Sequence, residues 1–134
     1  MTATPITDAI PKIRTALYAA LAPLVGTYAG ASRAYWLQAI QGAPLPLLIY
    51  QSQAPGQADA FLSSASWSGL FTIRALAASA SAAEALLAGV PAALADFSVS
   101  PFYGHRLTFV QAPVIPPLDD VHTAALTYRI ELFQ

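Results

Sequence analysis

The sequence has 134 residues, of which 56% are hydrophobic and only 10% are charged. Typical globular domains carry about 25% charged residues, so we expect part of this surface to be covered by a partner or another copy. The net charge is −1 and the basic residues are scattered, which argues against a nucleic-acid-binding surface. Cysteine is absent, which excludes disulfides, thiolate metal sites and cysteine nucleophiles. We expect one domain over residues 1–134.

The longest uncharged stretch, residues 34–58, has the length of a membrane span but contains five glutamines and three prolines. Buried amides and an interrupted backbone are unfavourable in a bilayer. The first residues, "MTATPITDAIPK", lack the basic region and apolar core of a signal peptide. We therefore expect no membrane-spanning segment and no signal peptide.

The first predicted helix lies in "TDAIPKIRTALYAALAPLVG". Its apolar residues recur at steps of three and four and predict one buried stripe: Ile10, Ile13, Leu17, Leu21 and Leu24. Thr7 or Asp8 can cap the helix, and Pro11 then falls in the first turn, where a missing N–H is tolerated. Pro23 and Gly26 predict its end.

Two strands are predicted next. "SRAYWLQAI", residues 32–40, is rich in aromatic residues, and "LLIYQS", residues 47–52, follows two prolines. The second strand is apolar on both faces, so we expect helices to cover one face and a neighbouring subunit or partner to cover part of the other. Residues 54–66 are small and polar, which predicts a long hairpin loop.

"WSGLFTIRALA" alternates apolar and polar residues and predicts an interior strand. In the following "SAAEALLAGVPAALAD", Ser81 and Glu84 match a capping box at the start of a second helix. Its predicted buried residues are Leu86, Leu87, Val90 and Leu94. Pro91 removes a donor inside this helix, so we expect a kink or an early end there.

"HRLTFVQA" and "TAALTYRIELFQ" are the last predicted strands, and the second of them alternates well. Residues 111–122 between them form a proline-rich connection whose apolar residues predict docking onto another surface. Helices separated by runs of strands predict an α+β fold. We expect a mostly antiparallel or mixed sheet of about five strands with two helices packed on one face.

Residues that could carry chemistry are few. His105, His122, Asp119 and Asp120 are the only candidate metal ligands, but "DDVH" has no recognised ligand spacing and favours solvated loop acids. No G-x-S-x-G motif is present, so a Ser–His–Asp site would have to form through the tertiary structure alone. We predict no catalytic residue, no metal ligand and no cofactor.

The aromatic residues of the predicted strands are Tyr35, Trp36, Tyr50 and Trp67. They could stack on bases or sugars, but aromatic residues on strands more often belong to a core or an interface. Arg33, Arg74 and Arg129 are isolated on the polar strand faces. We expect them to be solvated or paired with Asp and Glu rather than to line a nucleic-acid path.

"PLLIY" at residues 46–50 and "SAAEA" at residues 81–85 are the segments that best carry a resemblance to a known family. The order "LYAALAPLVG", "PLPLLIYQSQ", "WSGLFTIRALAASASAAEALLAGVPAAL" and "LTYRIELFQ" is similar to the small tail-terminator, or tail-completion, proteins of long-tailed phages. The resemblance extends from residue 10 to residue 133. Its motifs are strand and helix patterns rather than an active-site signature.

The resemblance implies a structural, non-enzymatic α+β subunit that assembles with itself into a ring, commonly a hexamer. Such a ring lies at the head-proximal end of the tail tube, ends tube polymerisation and presents a docking surface to the head connector or stopper protein. It implies a virion protein made in the host cytoplasm. Genome DNA passes through the channel without sequence-specific binding.

A ring interface is heterologous, because one surface of a subunit contacts a different surface of the next. The residues that we predict at this interface are Gln57, Phe61, Leu62, Val114, Ile115, Leu118, Tyr35 and Trp36. A related neck or head-closure protein is an alternative. A small α+β enzyme or ligand-binding module is another, and it requires His105 or His122 to be buried beside an acid.

Overall fold

The computed structural model describes residues 9–52, 57–58, 66–95, 97 and 104–133. Its helices are α1 (Ala9–Leu21), α2 (Ala80–Ala88) and α3 (Val90–Leu94), and a short 3₁₀ helix, Ala22–Leu24, follows α1. Its strands are β1 (Thr27–Tyr28), β2 (Ala31–Ser32), β3 (Ala34–Trp36), β4 (Leu47–Ser52), β5 (Gln57–Ala58), β6 (Ser66–Ala77), β7 (Gly104–Gln111) and β8 (His122–Phe133). None of the helices in these ranges combines the length and the hydropathy that a membrane crossing requires.

The main sheet is mixed and has the strand order β3-β4-β6-β8-β7. β3 pairs with β4 in parallel, the other pairs along this order are antiparallel, and β5 pairs separately with β6. β1 and β2 form a separate two-stranded hairpin. The predicted α+β fold is confirmed. β3 and β7 are the two edges of the described sheet.

Both long helical segments pack on one face of this sheet. A single buried cluster joins α1, α2 and α3 to the apolar side of β4, β6 and β8, and its largest fully buried members include Ile13, Leu17, Leu48, Phe71 and Ile130. The stripe predicted for α1 is buried at Ile13, Leu17 and Leu21, whereas Leu24 is only partly buried. The caps predicted at Thr7 and Asp8 lie outside the described residues.

The capping box predicted at Ser81 is wrong. Ser79 caps α2 instead, since its hydroxyl oxygen accepts a hydrogen bond from the Ala82 N–H at 3.2 Å, and Ser81 lies inside the helix. The two serines are only two residues apart, and the N-cap is the one whose hydroxyl accepts a hydrogen bond from an N–H of the first helical turn, which is Ser79. The break predicted at Pro91 is confirmed, because α2 ends at Ala88 and α3 begins at Val90.

The strand predicted at residues 32–40 is much shorter than expected. β3 contains only Ala34–Trp36, because Leu37 has a φ of 71° and turns the chain out of the strand. Residues 31–32 pair with β1 rather than with the main sheet. The loop predicted at residues 54–66 also needs correction, because Gln57 and Ala58 form β5, which pairs with Ser68 and Trp67 of β6.

The second face of the sheet is partly closed by the chain itself. Leu47 and Ile49, which we expected a neighbouring subunit to help cover, are only 3% and 7% exposed. Farther along this face, the hydroxyl groups of Thr72 and Thr127 share a buried hydrogen bond of 3.2 Å. A partner is therefore not needed to bury this part of β4.

Candidate assembly interface

An extended segment, residues 112–121, connects β7 to β8; we name it the apolar arm. It is held to the body by a bridge between Val114 and Ala124 of β8. At its tip, Leu118 and Val121 exchange two backbone hydrogen bonds of 2.9 and 3.1 Å around Asp119 and Asp120. These two aspartates have φ angles of 50° and 63°, as in a tight type I′ turn, and aspartate tolerates this left-handed backbone.

The apolar side chains of the arm lie at its outer surface. Val114 is 94% exposed and Leu118 is 74% exposed, whereas Ile115 is half-buried. A cavity of about 380 Å³ lies between the arm and α2, and Leu87, Ile115 and His122 are among its lining residues. The arm thus exposes two large apolar side chains to water. Single exposed apolar residues are common, but this clustering is typical of a contact surface.

The exposed apolar surface extends from the arm onto β7. Phe109 is 55% exposed and Val110 is 43% exposed, and Phe109 makes an edge-to-face contact with Tyr128 at 6.0 Å between ring centroids. In the part of the chain that the structure describes, β7 pairs only with β8, so its other side is an unpaired edge. Natural proteins usually protect such edges from unwanted pairing.

A second surface feature, which we name the aromatic cleft, lies between α1 and β3 and has a volume of about 480 Å³. Its lining residues include Arg14, Tyr18, Tyr35, Trp36, Gln38 and Tyr50. The Trp36 and Tyr50 rings meet edge to face at 5.6 Å, and Ile40, 48% exposed, also borders the cleft. Tyr35 and Trp36, predicted from the sequence as interface residues, are therefore brought together in one concave site.

One cation stands at the wall of this cleft. The guanidinium carbon of Arg14 lies 5.6 Å from the centroid of the Trp36 ring, within the range of a cation–π contact. Burial raises the pKa of the Tyr50 hydroxyl to about 12, although the nearby Arg14 charge opposes this rise and Tyr18 adds to it. Burial likewise raises the pKa of the Tyr128 hydroxyl in β8, the strand next to the β7 edge. Both hydroxyls therefore remain neutral at physiological pH.

The loop that follows β3, residues 37–46, fastens this edge of the sheet. Arg33 donates hydrogen bonds to the carbonyls of Pro44 and Leu45, both at 3.3 Å, and the Leu37 N–H donates to the Tyr50 carbonyl at 3.1 Å. Arg74 donates to the Gln51 side chain at 3.1 Å. We expected Arg33 and Arg74 to be solvated or paired with Asp or Glu; within the described residues both are half-buried and donate to neutral oxygens instead.

The remaining sequence-predicted residues are not brought to one place. Gln57 lies in β5 on the β4 side of β6, and Phe61 and Leu62 lie outside the described residues. Asp119 and Asp120 occupy the tip of the arm, and His122 is half-buried at the start of β8. Within the described ranges, no group of three or more His, Cys, Asp or Glu residues could hold a metal ion.

Sequence reasoning missed several residues of both surfaces. Arg14, Tyr18 and Gln38 in the cleft come from α1 and from the turn after β3, which no sequence pattern joins. Phe109 and Val110 were assigned only to a strand. Adjacent residues of a strand point to opposite faces, so the sequence places one of these two apolar side chains on each face of β7, but it carries no signal that both are exposed.

No protein-family model and no curated protein matches the sequence. Among solved structures, the chain is similar to one from the virion of a native gene transfer agent particle, with a TM-score of 0.60 and 24% sequence identity. The similarity covers 94% of this chain and 95% of that chain. At this level of identity it shows that the two chains share a fold along almost their whole lengths.

Proposed function

We propose that this chain is a structural subunit of a phage tail or a phage-like tail, forming a ring at the head-proximal end of the tail tube. The observation that carries the proposal is the shared fold with a chain of a gene transfer agent virion over 94% of this sequence. Equal coverage of both chains means that neither adds or lacks a large part. The family resemblance of the "PLLIY" and "SAAEA" segments supports the terminator role within such a particle.

The surface supports assembly rather than catalysis. In this chain, with 10% charged residues, apolar side chains such as Val114 and Leu118 are exposed to water, which is unfavourable. Contact with another protein surface would remove them from water. Among the described residues, Arg106 and Glu131 form an ion pair at 3.7 Å on the polar face of the sheet. In the proposed role the protein is not an enzyme and needs no cofactor.

In the proposed ring the chain assembles with other copies of itself into a hexamer. The other partners are the tail tube protein and the head connector or stopper protein. Genome DNA passes through the channel without sequence-specific contacts, in keeping with the scattered basic residues. The protein is made in the host cytoplasm and is incorporated into the virion.

The test combines oligomer mass with imaging of tail tubes. Purified protein is analysed by native mass spectrometry and is then added separately to assembling tail tube protein and to isolated head connectors. Both samples are examined by negative-stain electron microscopy. We expect closed oligomers, shorter tubes and additional density at one end of each tube. Density only on isolated connectors would support the neck alternative. Protein that stays monomeric and leaves tube length unchanged would contradict the proposal.

A further inference from the structure

The aromatic cleft and the apolar arm lie on opposite sides of the subunit. The cleft borders β3 and the arm continues from β7, and these strands are the two edges of the sheet. Four strand spacings separate them, or roughly 19 Å. The arm is also bridged to its own β8 through Val114 and Ala124. The arm of one copy is therefore positioned to meet the cleft of another copy rather than its own.

The two surfaces are complementary in apolar character. The arm presents Val114 and Leu118 at 94% and 74% exposure, and the cleft presents aromatic walls around about 480 Å³. A volume of this size lies within the range of protein binding sites, about 300–1,000 Å³, and accommodates several aliphatic side chains. Placing exposed aliphatic side chains against the aromatic walls removes both surfaces from water.

The two surfaces are also complementary in charge. Asp119 and Asp120 directly follow Leu118 at the tip of the arm, and Arg14 stands at the wall of the cleft. Within the described ranges neither aspartate forms an ion pair, and Arg14 contacts the Trp36 ring. A carboxylate brought beside this guanidinium would be partly shielded from water. Such shielding makes a charge pair stronger than it is at an open surface.

We propose that the arm of each subunit docks in the aromatic cleft of the next, with Leu118 against the aromatic side chains of the cleft and Asp119–Asp120 beside Arg14. The contact is heterologous, so repetition gives a closed ring when the rotation between subunits closes. This inference rests on the proposed ring function and names the surfaces that build the ring. It assigns the arm and the cleft as the two halves of one interface.

Cross-linking tests the contact directly, because the chain has no cysteine of its own. Leu118→Cys and Gln38→Cys are prepared as separate proteins, mixed, and treated with a short thiol-reactive cross-linker. We expect covalent dimers in the mixture and almost none in either protein alone. A chain with both substitutions should give a ladder that ends in a circular oligomer. Cross-linking of Leu118→Cys with itself, or none in the mixture, overturns the proposed docking.

Charge exchange tests the polar part of the contact. Arg14→Glu, and separately Asp119→Lys with Asp120→Lys, should each reduce assembly at least tenfold, and combining all three should restore it. Lys12→Glu is the matched control, because Lys12 is exposed on the same helix but does not line the cleft. Normal assembly of the Arg14→Glu variant or of the Asp119→Lys/Asp120→Lys variant, or no restoration in the combination, overturns the contact.

Failure of this inference and failure of the proposed function give different results. If the native protein forms rings and shortens tail tubes but Leu118→Cys and Gln38→Cys do not cross-link, the function stands and the docking is wrong. If the native protein neither assembles nor binds tubes, the proposed function falls and the docking falls with it. Thermal unfolding of every variant shows whether a loss of assembly reflects a loss of fold.

Discussion

The two edges of the sheet differ in how the adjoining chain segments are held and in how much apolar surface they expose. At the β3 edge, Arg33 holds the carbonyls of Pro44 and Leu45, and the Leu37 N–H bonds the Tyr50 carbonyl. At the β7 edge, Phe109 and Val110 are 55% and 43% exposed, and the arm that follows is held to β8 by the bridge between Val114 and Ala124. One edge is secured by the chain's own loop. The β7 edge continues into the exposed apolar arm.

This difference indicates how the molecule divides stability from assembly. Buried groups of β3 and β4 belong to the core cluster or bond to its neighbours, so changes there should act on folding. Exposed residues of the cleft, such as Arg14 and Gln38, should act on association instead. Side chains on the arm contact water, so changes there should act on association. The following predictions test this division, in order of decreasing effect on the free energy of unfolding.

Leu48→Ala should have the largest effect. Leu48 is fully buried in β4 and pairs with Ala34 of β3, and truncation of such a side chain costs about 2–5 kcal/mol. Urea unfolding measures the loss. Leu37→Ala, at a side chain 54% exposed beside the same edge, is the control and should change stability by less than about 0.5 kcal/mol. Equal effects of the two substitutions would contradict the assigned core.

Alkaline pH should weaken the β3 side next. The pKa of Tyr50 is raised to about 12 in the folded state from about 10 in the unfolded chain, so the neutral hydroxyl favours folding. Its contribution is complete below pH 10 and is lost as the pH rises from about 10 to about 12, by at most about 3 kcal/mol. Thermal unfolding across this range measures it. Tyr50→Phe should show a smaller loss; an unchanged profile would contradict the assignment.

Arg33→Met removes the donors that hold the loop after β3 and keeps much of the apolar stem. We expect a loss of about 1–3 kcal/mol, because the carbonyls of Pro44 and Leu45 lose a charged donor. Hydrogen exchange should quicken in residues 37–46. Arg129→Met, at an exposed arginine of β8, is the control and should leave both measurements near native values. Native exchange rates in Arg33→Met would show that the loop is held by other contacts.

Val114→Ser should have the smallest effect on stability, within about 0.5 kcal/mol, because the side chain is 94% exposed. Its effect should instead appear in oligomer mass, as a shift toward monomer. The same substitution at Val90, which is fully buried, should unfold the protein much more readily. A large loss of stability in Val114→Ser would mean that the arm belongs to the fold and not to an interface.

Much of the fold could be predicted because the relevant signals are local. The predicted strand at residues 47–52 is β4, and the apolar stripe of the first helix is buried at Ile13, Leu17 and Leu21. Side-chain periodicity depends only on the backbone repeat of helix or strand, so it survives in the sequence. The cap of α2 was misplaced because Ser79 and Ser81 are chemically alike, and backbone geometry selects between them.

The candidate site was predicted only in part. Val114, Ile115 and Leu118 were identified because apolar residues in a proline-rich connection are unusual, and the structure places Val114 and Leu118 at the surface. The cleft could not be predicted as a site, because Arg14 and Trp36 come from different elements and meet only after α1 packs on the sheet.

The sequence by itself determined the α+β class, the positions of the main helices and strands, and the surplus of apolar surface, since these follow from periodicity and composition. Only the tertiary structure decided that β3 runs parallel to β4, that both faces of β4 are buried within one chain, and that the arm and the cleft lie at opposite edges. Strand order and burial depend on contacts between residues distant in the chain, and a single sequence carries no local signal for those contacts.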